Sequence, residues 1–378
     1  MNLALSDEQE LLREAARGTL SRVATVEAAR AALEGEPPPD LWPAACEAGW
    51  TGLLVSEARG GAGLGPFDAM LVMGECGRVL AGVPLLGHLP ASWLLDRGGW
   101  DGVEAVASGE RRAAFVAAMP PGDLEPRWTW EPPQGKARVP AGGDAAAWVV
   151  DAPGADVFVV VGEGGAVSVV EGATVEAVTR YDATRLLGHV SLAGATAAPL
   201  DVSPGDAATA WHLAQALLAA ESLGAVEACR DLAVAYAKER HAFGRPIGSY
   251  QAIKHQLVEV LRLLENGRSL LYYAGWAGES KPGELALAAS AARSAAGRAL
   301  DVATRVCISV HGGIGATWEH DAPLYFRRAQ LSRRLLGGTG AATDRVAGEV
   351  MAALPASPPA AAGRARRGDA ADPAGAAR

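Results

Sequence analysis

Side chains able to do chemistry are thinly spread along this 378-residue chain. Cys46, Cys76, Cys229 and Cys307 are far apart and form no C-x-x-C pair, so neither a zinc site nor a redox dithiol is suggested. The expectation is buried free thiols in a reducing cytosol. Gly60-Gly61-Ala62-Gly63-Leu64-Gly65 is glycine-rich, but no strand–turn–helix context makes it a phosphate loop, and no Walker or Rossmann fingerprint occurs elsewhere. It reads as a flexible loop. Two denser segments remain: Arg240-His241-Ala242-Phe243-Gly244-Arg245-Pro246-Ile247-Gly248 followed by Gln251, and His311-Gly312-Gly313-Ile314-Gly315.

The elements that must carry these segments are mostly helical. Ser6-Asp7-Glu8-Gln9 has the form of a capping box, with apolar residues following at helical spacing. After a break at Pro37-Pro38-Pro39, helices are expected around Leu41 to Ala48 and Phe67 to Val79. Between Arg112 and Ser203, short apolar runs such as Val157-Phe158-Val159-Val160-Val161 alternate with Gly and Pro turns, which are strand signals. From Pro204 the pattern is helical again. A helix over Asp206 to Tyr236, apolar on several sides, is followed by others over Glu259 to Ala277, Glu284 to Val310 and Ala341 to Ala353.

The expected fold is therefore α+β and mostly α. It comprises an N-terminal helical domain (1–111), a small middle β domain (112–203) and a C-terminal helical bundle (204–354). The tail, 355–378, is of low complexity and is expected to be disordered. The net charge of −9 argues against a nucleic-acid binder. The N-terminus lacks the basic start and apolar core of a signal peptide, and no run is apolar for long enough to span a bilayer. A cytoplasmic protein is expected.

The segment from Arg240 to Gln251 resembles the R-x-x-F-G-x-P-x-G-x-x-x-Q signature of acyl-CoA dehydrogenases. Trp50-Thr51-Gly52-Leu53 and Glu75-Cys76-Gly77-Arg78 resemble that family's N-terminal domain. Asp182-Ala183-Thr184-Arg185 fits the end of its β domain, and His311 to Asp321 its C-terminal flavin segment. The likeness runs over about residues 1–354. It implies a β-barrel-like middle domain, a C-terminal four-helix bundle, bound FAD, and dimers or tetramers. The family removes two hydrogens from the α and β carbons of an acyl thioester, whose carbonyl must be polarised to acidify the α proton. Carried over, Arg240 would face the FAD diphosphate in a neighbouring subunit, where a guanidinium fork suits two phosphates. Gln251 would hydrogen-bond the same cofactor and Phe243 would pack near it. Gly312 and Gly313 would let the backbone approach its adenine half, and Gly338 would touch substrate.

The departures from that pattern fall at the catalytic positions. Gly337, in Leu335-Leu336-Gly337-Gly338-Thr339, stands where the family has its base, and Ala214 occupies the alternative position on the first bundle helix. Ser309 replaces a flavin-contacting glutamine, and His212-Leu213-Ala214-Gln215 replaces a substrate-contacting D-x-x-R. Met119-Pro120-Pro121-Gly122-Asp123 replaces the middle-domain flavin loop. Glu221, two turns beyond Ala214, is the candidate for a relocated base, although a bundle or interface carboxylate paired with an arginine is the favoured reading. Glu319, His320 and His311 are further candidates, with structural or interface roles expected. This combination resembles actinobacterial partner subunits that form mixed tetramers with a base-bearing homologue.

Three functions follow. The first is a base-less subunit of a heteromeric enzyme that partners a homologous acyl-CoA dehydrogenase subunit. The second is a self-sufficient flavoenzyme with a relocated base, as a homo-oligomer, acting on an unusual CoA or acyl carrier protein thioester. The third is a flavin-free protein reusing the fold.

Overall fold

The computed structural model describes residues 4–23, 25–117, 133–140, 145–178 and 181–354. Its first layer is helical: α1 (Asp7–Leu20), α2 (Thr25–Ala31), α3 (Trp42–Glu47), α4 (Pro66–Arg78), α5 (Leu85–Arg97) and α6 (Val103–Ala107). The expected capping box starts α1. The Gln9 amide donates to Ser6 Oγ at 3.2 Å, and the Ser6 amide donates to Gln9 Oε1 at 3.1 Å. Such a cap stabilises a helix end by about 1 kcal/mol.

The glycine-rich stretch after Arg59 is not the free loop that its composition suggested. Gly61, Ala62, Gly63 and Leu64 donate their amides to the carbonyls of Ser56, Gly52, Val55 and Leu53. A Cβ on Gly61 would lie 2.1 Å from the Val55 carbonyl oxygen. Glycine serves here for close backbone approach.

The middle of the chain supplies β1 (Ala113–Ala117), β2 (Ala137–Arg138), β3 (Ala145–Val150), β4 (Val157–Val161), β5 (Val167–Glu171), β6 (Thr174–Ala177), β7 (Leu187–Ser191) and β8 (Thr196–Pro199). They form a five-stranded sheet in the order β1-β4-β5-β8-β2 and a three-stranded sheet in the order β3-β7-β6. All pairings are antiparallel except β1 with β4. Phe158, Val160, Val170, Val190 and Leu192 fill a core of their own between the sheets. The opposite face of the larger sheet, through Val157, Val159 and Val169, joins the main core. His88 on α5 fixes this junction. Its Nε2 meets the Thr51 carbonyl at 3.0 Å, and its Nδ1 accepts from the Ala113 amide at 3.1 Å. Burial pushes its pKa down to about 4, so the ring is neutral.

The last layer holds α7 (Pro204–Glu239), α8 (Gln251–Ser280), α9 (Leu285–His311), α10 (Ala322–Ser332) and α11 (Gly338–Ala353). A two-residue hairpin, β9 (His241–Ala242) with β10 (Arg245–Pro246), turns α7 into α8. The helix α7 is buried on most sides, as its apolar surround implied. It touches α4 at glycines: a Cβ on Gly224 would fall 1.8 Å from the Gly74 carbonyl oxygen, and one on Gly77 1.9 Å from that of Glu221. This contact seats the N-terminal layer on the bundle, at the level of Glu221.

Candidate functional site

Glu221 is 2% exposed, and both carboxylate oxygens are engaged. Arg328 Nη1 donates to Oε1 at 2.8 Å, and Arg185 Nη2 donates to Oε2. Arg328, itself fully buried, also donates from Nε to Asp182 and from Nη2 to Thr184 Oγ1 and the Leu80 carbonyl. Thr184 returns its amide (2.9 Å) and hydroxyl (2.6 Å) to Asp182 Oδ1. Burial pushes the Asp182 carboxyl up, but the Arg328 charge and the Thr184 hydrogen bond outweigh it and hold the group below its ordinary value. The network joins the end of α4, the loop before β7, α7 and α10. Guanidinium donors already occupy both carboxylate oxygens, and Glu221 lines none of the described clefts.

Asp151 lies beside this network and was not apparent from the sequence. Burial pushes its carboxyl up to about 7, against the pull of the Arg185 charge and of the Gly87 amide that donates to Oδ2 at 2.8 Å. Its backbone is left-handed, φ 60°.

The chain between α10 and α11 occupies the place where a base was sought. Leu336, Gly337 and Gly338 all have positive φ, at 50°, 83° and 76°. Gln215 Nε2 donates to the Leu336 carbonyl. Arg293 Nη2 donates to the carbonyls of Ser332 and Leu335. Arg293 is wholly buried with no acidic partner among the described residues, and burial pushes its pKa down to about 10. Gly337, Gly338 and Ala214 are all buried. Neither Gly337 nor Ala214 offers a proton-accepting atom on its side chain. Only about 10 Å³ of space remains between this loop, Trp211, Gln215 and Arg345.

The signature residues lie on an open surface. Arg240 caps α7 and is exposed, Gln251 opens α8 and is exposed, and Phe243 stands 95% exposed with φ 52°. Tyr236, one turn before Arg240, stacks on His311 at 4.4 Å, which brings the Gly312–Gly313 turn beside the same helix end. Ser309 is exposed one turn earlier. A Cβ on Gly312 or Gly313 would meet nothing within 4 Å. The rings of His311 and His320 pack at 4.0 Å with a tilt of 48°, and His311 Nδ1 reaches the Cys307 carbonyl at 2.7 Å. Glu319 is fully exposed. A cation without an acidic partner among the described residues, an uncovered ring, an amide and an open glycine turn suit a diphosphate joined to a flat heterocycle, so these residues fit one half of FAD. Met119 to Asp123 lie outside the described residues.

All four cysteines are free; Cys76, Cys229 and Cys307 are buried. Among the described residues no helix is long and apolar enough to cross a membrane.

Residues 6–101 match the acyl-CoA dehydrogenase N-terminal domain and residues 206–351 the acyl-CoA dehydrogenase C-terminal domain. The chain belongs to the acyl-CoA dehydrogenase family. Among its relatives is acyl-CoA dehydrogenase IpdE2 of Mycolicibacterium smegmatis, 33% identical over 92% of this chain and 100% of that protein. A solved structure described as the Tcur3481–Tcur3483 steroid ACAD, G363A variant, superposes with a TM-score of 0.77 at 28% identity, over 92% of this chain and 98% of that one. The ChsE4–ChsE5 complex from Mycobacterium tuberculosis shares the fold, with a TM-score of 0.80 at 24% identity over 94% of this chain and 100% of that one.

Proposed function

We propose that this chain is the subunit lacking the catalytic glutamate in a heteromeric, cytoplasmic acyl-CoA dehydrogenase that oxidises the α,β bond of an acyl thioester. The observation that carries the reading is Gly337. The position of the base is a buried glycine in left-handed backbone, and neither Ala214 nor the arginine-bound Glu221 replaces it. The likeness to a protein described as a steroid ACAD favours a steroid-derived acyl group.

In this reading the chain contributes structure and half a cofactor site. FAD, when bound, would supply the hydride acceptor for the β carbon. Arg240 would hold its diphosphate, Gln251 and Ser309 would offer polar contacts, Phe243 would cover the ring system, and Gly312–Gly313 would admit the adenine half. A Phe243 ring left almost wholly in water favours a second subunit closing over it.

The test is purification of the chain alone and with a co-encoded, base-bearing homologue. The expected result is no turnover alone, and thioester oxidation with FAD retained in the mixed oligomer. A yellow, catalytically competent chain on its own would overturn the reading in favour of a self-sufficient enzyme. Full activity of the homologue without this chain would also overturn it.

A further inference from the structure

Cys229 and Cys307 are far apart in the sequence, but the fold brings them together. Cys229 lies on α7, two turns before Tyr236, and Cys307 lies on α9, one turn before His311. Buried alanines flank both thiols, Ala225 and Ala233 on α7 and Ala303 on α9. Small side chains let two helix backbones come close, as a bond between thiols on neighbouring helices requires. The Cys229 thiol donates a hydrogen bond to the Cys307 sulfur. His311 Nδ1 lies 3.8 Å from that sulfur and 2.7 Å from the Cys307 carbonyl.

The two sulfurs are not equivalent. Burial pushes the Cys229 thiol up, and the hydrogen bond it donates adds to this. At Cys307 the hydrogen bond from Cys229, helped by His311, outweighs burial and holds the thiol below its ordinary value. Burial works against a charged His311, but the Cys307 sulfur and carbonyl outweigh it and hold the imidazole above its ordinary value. Cys76 is as deeply buried, and there burial dominates and pushes the thiol up. The thiolate is the nucleophile in sulfur chemistry, so Cys307 reacts first and Cys229 stands ready to resolve it.

We propose that Cys229 and Cys307 form a reversible dithiol–disulfide switch operated by hydrogen peroxide. The Cys307 thiolate attacks one peroxide oxygen. The S–O bond forms, the O–O bond breaks, and the departing hydroxide takes the proton of the His311 imidazolium and leaves as water. The Cys229 thiol then attacks the Cys307 sulfur. The S–S bond forms, the S–O bond breaks, and the leaving hydroxide departs with the Cys229 proton as a second water. The two sulfurs are oxidised by two electrons, and one peroxide is reduced to two waters.

Both sulfurs are at most 1% exposed, which admits an oxidant the size of water and leaves no room for a glutathione adduct. The hydrogen bond and the His311 charge stabilise the reduced pair and are lost on oxidation, so the disulfide is easily reduced again. Oxidation also discharges His311, which packs on Tyr236 directly before the Gly312–Gly313 turn. All of these groups belong to this chain, so the inference goes beyond the subunit reading and does not depend on it.

Peroxide treatment of the full chain, followed by denaturation, alkylation and peptide mass spectrometry, tests the switch. The expected product is a peptide crosslinked through Cys229 and Cys307, with both thiols restored by dithiothreitol. Cys307 should be lost about tenfold or more faster than the equally buried Cys76. Cys229→Ala, which matches the alanines around it, should remove the crosslink and let Cys307 pass to the sulfinic acid. NMR titration of the histidines should show His311 titrating lower after oxidation. Equal loss of Cys307 and Cys76, a crosslink to Cys46 or Cys76, or a Cys307 sulfinic acid in the parent without a crosslink would each overturn the proposal. A His311 titration unchanged by oxidation would do the same. Crosslink and titration are both read on the parent chain, so they decide even where the variant fails to fold. Flavin retention and oligomer formation are measured separately, so failure here leaves the subunit reading intact.

Discussion

Glu221→Gln keeps the shape of the side chain but leaves Arg185 and Arg328 with one negative charge fewer between them. Removing one partner from a buried ion pair costs about 3–5 kcal/mol. The expected outcome is a markedly lower melting temperature with turnover of the folded mixed complex nearly unchanged. A hundredfold loss of turnover at intact flavin content would instead mark Glu221 as a general base. Asp151 gives a second prediction, with a definite sign. Its carboxyl is raised from 3.8 to about 7, so the folded chain holds a proton that the unfolded chain has already lost. The stability contributed by this group is complete below pH 3.8 and declines as the pH rises through about 7. Asparagine tolerates the left-handed backbone and can still accept from Gly87. Asp151→Asn should therefore gain stability relative to the parent at pH 8 over its value at pH 5, read from urea unfolding at both. Parallel pH slopes in the two proteins would disprove the assignment.

The loop between α10 and α11 shows why the missing glutamate is more than a point change. Three successive positive-φ residues fit Gly-Gly and strain anything with a Cβ, by roughly 1–2 kcal/mol per residue. Gly337→Glu is expected to destabilise the chain and yield no efficient oxidation of saturated acyl-CoA, because misplacing a reacting group by about 1 Å already costs ~100-fold. Strong activity in that single variant, measured by dye reduction, would contradict this. Much of this level was legible in the sequence. The capping box, the short valine-rich strand β4 and the long bundle helices each follow from a local pattern. What was hidden depends on contacts across the chain. The expected flexible loop at Gly60–Gly65 is pinned by carbonyls of residues 52–56, which composition does not reveal. The helix expected from Glu259 begins at Gln251, because the more polar, exposed first turns carry a weaker apolar period. Gln215 and Arg293 hold their loop through backbone carbonyls, which leave no trace in side-chain types. Asp151 stands out only through burial. Gly337 and Glu221 could be singled out in advance, but the two arginines that meet Glu221 come from residues 185 and 328.

At the scale of the molecule, the exposed signature surface separates a cofactor role from a structural one. If Arg240 holds a diphosphate, Arg240→Ala should weaken FAD retention in the assembled oligomer by roughly 1.5–3 kcal/mol, the worth of a hydrogen bond to a charged group. Its melting temperature without FAD should hardly move, because Arg240 is exposed and has no acidic partner among the described residues. Flavin occupancy and affinity equal to those of the parent, by visible absorbance after gel filtration, would remove Arg240 from the cofactor site.

The ion network has a further consequence, for how the chain is made. Asp182 and Glu221 leave the ribosome 146 and 107 residues ahead of Arg328, and Leu80, whose carbonyl the same guanidinium caps, 248 residues ahead. Until α10 emerges, Asp182 and Glu221 lack one of their two guanidinium partners and the Leu80 carbonyl lacks its donor, although the contact between α4 and α7 can already form. The network is therefore completed later than the layers it joins. Its closing step waits for one arginine made 107 residues after Glu221.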